Sequence, residues 1–235
     1  MYVMIGIIGL FSGLLSIYLG SNILYRKNVF SNLECMNCEK KIQLFKLKCK
    51  CGFNNQLIYI SAIFVTVILY LATLYYYGYS SELYVGLLFV ILMVSVSVSD
   101  ILRKIVPDEL IVVFLIVLGI LRIFIYPNVW FEAYLGMVVG FGLFYAIAYY
   151  GEKVYKQEVM GGGDIKLYAI IGLVLGVKLT LLSIFFASFS GLVYAIIFKK
   201  DKEEVYLPFV PFITFGVFVS YFYGNIILVW YTSLF

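Results

Sequence analysis

The sequence has no histidine at all, and its 235 residues include only four cysteines, four prolines and two tryptophans. Charge is also scarce: 13% of residues are Asp, Glu, Lys or Arg, about half of what a soluble domain carries. Each shortage removes a class of function. Without histidine there can be no Ser-His or Cys-His nucleophile, no rhomboid-like dyad and no HExxH zinc site. A hydrolase built on this chain must work with carboxylates or with a Ser-Lys pair. Without charge there is little polar surface to keep a globule in water. What replaces it is apolar: 64% of the residues are hydrophobic and the mean hydropathy is +1.03. The composition is that of a polytopic membrane protein, and no nucleic-acid partner is expected.

A helix that crosses a hydrocarbon core of about 30 Å needs about 20 mainly apolar residues. Eight such stretches are expected, at 2–20, 57–77, 83–99, 107–126, 130–149, 165–177, 179–198 and 208–233. The sixth depends on Gly176-Val177-Lys178 forming a turn. The N-terminal stretch lacks a basic leader region and a small-residue cleavage site, so it reads as a retained span and not as a removed signal peptide. The expected fold is therefore all-α, a membrane helical bundle of about eight spans. Its first span covers 1–20, a small cysteine-containing insert 21–56, and the membrane core 57–235.

The basic residues orient this bundle. Arg26, Lys27, Lys40, Lys41, Lys46, Lys48 and Lys50 fall in 21–56, Arg103 and Lys104 near 100–106, Lys153, Lys156 and Lys166 in 150–166, and Lys199, Lys200 and Lys202 in 199–206. With eight spans all these loops share one side, leaving only Arg122 and Lys178 for the other. Basic loops stay in the cytoplasm, so both termini are expected outside.

Most acids lie in the hydrophilic loops or begin spans, as Asp108 and Glu109 do after Pro107. Two differ. Asp100 ends the run Val94-Ser95-Val96-Ser97-Val98-Ser99 at the cytoplasmic end of the third span, and Asp164 follows Gly161-Gly162-Gly163 where the sixth span opens. Three glycines in a row are expected to break a helix. An ionisable residue at such a break is a functional candidate, although a carboxylate there also suits a simple N-cap. Two carboxylates brought together share a proton, and their affinities for it split. The ionised one can draw a proton from water while the protonated one polarises a peptide carbonyl. That is aspartyl protease chemistry, with no histidine and no metal.

The stretch Met160-Gly161-Gly162-Gly163-Asp164-Ile165-Lys166-Leu167 resembles the GxGD motif of the type IV prepilin peptidases, a family of membrane aspartyl proteases. Asp100 with Ile105-Val106-Pro107-Asp108 is similar to the family's first catalytic Asp and its downstream segment, with valine before the proline where isoleucine is usual. Leu207-Pro208-Phe209-Val210-Pro211-Phe212 resembles the P-F-x-P-F segment before the last span. The resemblance covers about 90 to 235. It implies an inner-membrane endopeptidase with Asp100 and Asp164 as catalytic pair, supported by Gly161, Gly162, Gly163, Lys166 and Pro107, cutting at the cytoplasmic face. The implied substrates are prepilin or pseudopilin precursors with a short basic leader and a hydrophobic helix packed alongside the bundle.

Cys35-Met36-Asn37-Cys38 and Cys49-Lys50-Cys51 form two close pairs. Placed in the cytoplasm they stay reduced, and four thiolates read as a tetrahedral structural zinc site; idle or redox-active thiols are the alternative. The bacterial members of the family carry a similar insert, with C-x-x-C where this chain has C-x-C. They also imply a second activity, methylation of the new N-terminus by S-adenosylmethionine. The segments Leu19 to Arg26 and Tyr59-Ile60-Ser61 match the family there only loosely, so a peptidase without methyl transfer stays open.

Two rival readings come from the residues alone. A cation-coupled transporter would use acids near the midplane of broken helices, whereas both acids here lie at one face. A Ser-Lys peptidase would draw on Lys178 and Ser183. The many aromatics, such as Tyr75, Tyr76, Tyr77, Tyr149 and Tyr150, suit the membrane interfaces. Gly136-x-x-x-Gly140 suits close packing of the fifth span.

Overall fold

A computed structural model describes residues 2–22, 33–34, 41–42, 56–125, 130–157, 160–198 and 208–234. Among these the chain forms helices α1 (Tyr2–Asn22), α2 (Gln56–Tyr77), α3 (Ser81–Arg103), α4 (Asp108–Ile125), α5 (Trp130–Tyr155), α6 (Gly162–Phe198) and α7 (Val210–Thr232). Six of these are long and apolar enough to cross a membrane. The chain is an all-α, multi-pass membrane protein. Helices dominate because hydrocarbon offers backbone groups no partner, and a helix satisfies them within its own segment. The remaining one, α4, is 18 residues long and bears Asp108, Glu109 and Arg122. Two short strands, β1 (Leu33–Glu34) and β2 (Lys41–Ile42), pair antiparallel, Leu33 with Ile42 and Glu34 with Lys41. They fall within the expected insert and leave the fold class unchanged.

The chain divides into two compact units, Met1–Leu110 and Ile111–Phe235. In the first, α1, α2 and α3 pack against one another. Small residues allow this: the backbone of α1 at Gly13 lies against Ile63 of α2, and at Gly20 against the Ser95 carbonyl of α3. Ser16 of α1 donates across to the Ile91 carbonyl of α3, and several other buried hydroxyls are satisfied within their own helix. Thr66 donates to the Ala62 carbonyl at 2.7 Å, Thr73 to Leu69 at 2.7 Å and Ser95 to Ile91 at 2.6 Å. Such back-bonds let polar side chains sit in an apolar interior at low cost.

In the second unit α5 and α6 meet through glycines. A methyl on Gly136 would overlap the Gly172 carbonyl, one on Gly140 the Tyr168 carbonyl, and one on Gly172 the Gly136 carbonyl. The expected close packing at Gly136 and Gly140 is therefore present. Its partner surface is Gly172-x-x-x-Gly176, the same spacing on α6. The Phe144 and Tyr168 rings stack across this interface with centroids 3.8 Å apart. On the far side, Gly216 of α7 lies against Ser183 and Ala187 of α6.

A straight helix as long as α6 would reach about 55 Å, far beyond the hydrocarbon core. It is not straight. Gly176 has φ 73° and ψ 175°, a backbone region that is essentially open to glycine alone. The chain reverses there, which brings Tyr168 on the first arm to face Ser183 on the second. On a straight helix those two residues would stand about 22 Å apart. The expected turn at 176–178 is thus a single-residue break at Gly176, and the sixth and seventh expected spans are the two arms of α6.

Candidate active site

Asp100 lies in the last turn of α3, at the helix end that hydropathy marked, with the helix running three residues further to Arg103. It is 7% exposed. The helix is closed just after it: Lys104 takes the left-handed conformation, φ 56°, and its N–H donates to the Asp100 carbonyl. The buried Ser99 hydroxyl reaches forward and donates to the Ile105 carbonyl at 2.7 Å. Those two bonds fold residues 101–107 back on the helix end, and buried Pro107 then starts α4 at Asp108. A proline at this place suits a helix start, since its missing N–H would have no partner there.

Asp164 stands in the first turn of α6, and its N–H donates to the Gly161 carbonyl at 3.1 Å. The expected helix break is present between α5 and α6 but ends earlier than the three glycines suggest: Gly161 is non-helical, while Gly162 and Gly163 are already helical and α6 begins before Asp164. Gly161 is exposed and precedes the helix. A side chain at Gly161 would begin 3.9 Å from Asp164 Oδ2, whereas one at Gly162 would meet nothing within 4 Å. Position 161 thus lies beside the carboxylate, and position 162 does not. Asp164 is partly exposed and Lys166 is exposed.

Tyr168, which the sequence reading assigned no part, lies one turn after Asp164 on the same face of α6. It is fully buried, and among the described residues its hydroxyl meets no partner in hydrogen-bond geometry although Ser183 faces it. Ser183 instead donates to the Thr180 carbonyl at 2.7 Å and is itself fully buried, while Lys178 is exposed. A Ser-Lys nucleophile there has no support. The fourfold cysteine set, Cys35, Cys38, Cys49 and Cys51, lies outside the described residues. Asp100 belongs to the first unit and Asp164 to the second.

Comparison with known proteins decides the family. The profile of the type IV leader peptidase family matches residues 87–196, a range that takes in both Asp100 and Asp164. A prepilin leader peptidase/N-methyltransferase of Bacillus subtilis is 34% identical over 193 residues, covering 80% of this chain and 76% of that protein. The chain belongs to the type IV leader peptidase family. A prepilin leader peptidase/N-methyltransferase of Legionella pneumophila is 25% identical over 183 residues, 71% of this chain and 59% of that one. An Escherichia coli relative, a type 4 prepilin-like proteins leader peptide-processing enzyme, shares 36% identity over 86 residues, 36% of this chain and 31% of its own length. No solved structure gives a significant match. Membership in the type IV leader peptidase family makes the chain an enzyme of peptidase type, in keeping with the motifs around Asp100 and Asp164.

Proposed function

We propose that this protein removes the short basic leader of type IV prepilin-like precursors at the cytoplasmic face of the inner membrane, using Asp100 and Asp164. The observation that carries the reading is that the family match contains both acids, one seated at a closed helix end and the other in the first turn of a helix behind an exposed glycine. The chemistry follows from what two carboxylates can do around one water. The ionised carboxylate takes a proton from water as the oxygen attacks the scissile carbonyl. The protonated one gives its proton to the carbonyl oxygen, so that no unshielded oxyanion forms. Collapse of the tetrahedral species breaks the C–N bond, and the proton first taken from water passes to the leaving amine. No covalent intermediate forms. Lys166, exposed at the head of α6, is placed to hold the motif at the membrane surface with its apolar stem along the helix.

Two further elements belong to the same reading. Cys35, Cys38, Cys49 and Cys51 hold one structural zinc ion in the segment between α1 and α2, since four thiolates leave no open position for a catalytic water. The new N-terminal amine is then methylated, a reading supported by the N-methyltransferase in the names of the Bacillus and Legionella relatives, with S-adenosylmethionine as the proposed donor. The test is incubation of the purified protein with a synthetic pilin precursor, with and without methyl donor, read by mass spectrometry. Loss of the leader supports the peptidase, and a donor-dependent gain of one methyl group supports the second activity. An intact precursor would overturn the first reading. A shortened but unmodified product at saturating donor would overturn the second.

A further inference from the structure

The first arm of α6, Gly162 to Leu175, carries Asp164 near one end and the Gly176 break at the other, about 18 Å apart along the helix. Its last carbonyls are the ones that a helix end leaves without partners, because the ladder cannot continue regularly through a residue at φ 73° and ψ 175°. In an apolar interior each such group is costly. The Val174 carbonyl is taken by a side chain 52 residues away, the Arg122 guanidinium of α4 through Nη2. Arg122 is 7% exposed, so this charge is held inside the second unit rather than reaching for the surface. A cation at the carbonyl end of a helix is also favoured by the helix dipole.

The packing around this end of the arm is interrupted on one side. A cleft of about 230 Å³ opens beside it, lined by Arg122, Trp130, Glu132 and Ala133 on one side and by Val174, Leu175 and Gly176 on the other. Along its α5 side the arm rests on Gly136 and Gly140, backbone against backbone. Such a contact fixes how near the helices lie, and the stacked Phe144 and Tyr168 rings lock the interface nearer Asp164, which leaves the end of the arm beside the cleft to Arg122. We infer that Arg122 is a positioning residue: by clamping the Val174 carbonyl at the reversal it fixes the axial setting of the first arm of α6, and so the place of Asp164 at its other end. The inference rests on the catalytic reading of Asp164 for its kinetic consequence, though not for its structural one.

Two measurements test it, one for each part. For the arm itself, spin labels go on cysteines replacing Tyr149 and Lys166, both exposed in the second unit, in full-length protein with Cys35, Cys38, Cys49 and Cys51 changed to serine. Arg122→Met, which keeps an apolar stem and loses the donors, should shift or broaden the distance distribution between the labels. For catalysis, measured without labels, Arg122→Met should lower kcat for leader removal on the order of 10- to 100-fold, the scale of a reacting group misplaced by about 1 Å, with KM within about twofold. Arg122→Lys keeps charge on a compact donor without the planar fork and should restore most of the lost rate. An unchanged distance distribution with unchanged kcat overturns the inference, and so does a lowered kcat with an unchanged distribution. If the methionine variant does not insert, the lysine variant decides: it should show a several-fold lower kcat and a broadened distribution, and wild-type values of both overturn the inference. Asp164→Asn is run in parallel. Cleavage by that variant refutes the catalytic reading, while the label distances still report whether Arg122 sets the arm.

Discussion

Replacing Gly172 by alanine adds one methyl group at the tightest contact in the second unit. Built on the present backbone, that methyl would stand 2.5 Å from the Gly136 carbonyl carbon and 2.9 Å from the Met137 nitrogen. Carbon atoms rest against one another at about 3.5–4.0 Å, so α5 and α6 must part by roughly 1 Å. The obstacle is backbone, which cannot rotate aside as a side chain does. Overpacking of this kind costs about 1–3 kcal/mol. Separation would also loosen the stacked Phe144 and Tyr168 rings on the same interface. The control is Gly142→Ala on α5, where a methyl meets nothing within 4 Å and where alanine is the better helix former by about 1 kcal/mol. The assay is thermal unfolding of both variants in one detergent, followed by retention of the monodisperse species. Gly172→Ala should melt below the wild type and Gly142→Ala at or above it. Equal melting of the two variants would refute the claim that direct backbone contact holds α5 on α6.

Two other expectations follow. Single cysteines at Ser80 and Lys202, in a chain lacking the native four, should divide by side: an impermeant thiol reagent applied to intact cells labels position 80 and spares 202 if the basic loops are cytoplasmic, and the reverse pattern overturns that orientation. Metal analysis should find about one zinc per chain, held by a tetrahedral Cys₄ set and lost on changing Cys35 and Cys38 to serine, with lowered stability but continued cleavage; metal-free wild-type protein of normal stability would refute the site.

Hydropathy located the helices because hydrocarbon forces apolar runs to be helical, yet it did not locate their ends. α5 continues through Gly151, Glu152 and Lys153 to Tyr155, and α3 includes Asp100 and runs to Arg103. Charge ends a hydrophobic run, but backbone hydrogen bonding continues until a cap or turn stops it, as Lys104 does after α3. The glycines before Asp164 marked the break but not where it ends, for the same reason. Their low helix propensity is outweighed at a first turn that gains partners from the rest of α6. The glycine pair on α5 was legible from its four-residue spacing. Its partner, Gly172 and Gly176, shows the same spacing and was recognisable in principle. The bond from Arg122 to Val174 was not, since nothing local ties residues 52 apart, and the buried place of Tyr168 depends on a reversal that sequence could mark but not shape.

The most direct test of the catalytic account compares three full-length proteins, the wild type, Asp100→Asn and Asp164→Asn, on one synthetic pilin precursor in detergent or reconstituted membranes. Each substitution keeps the size of the side chain and removes its ability to exchange a proton. Because residues that act as a unit fail together, either change should remove nearly all leader cleavage while expression, membrane insertion and melting stay close to the wild type. Substantial cleavage by either folded variant would contradict the account.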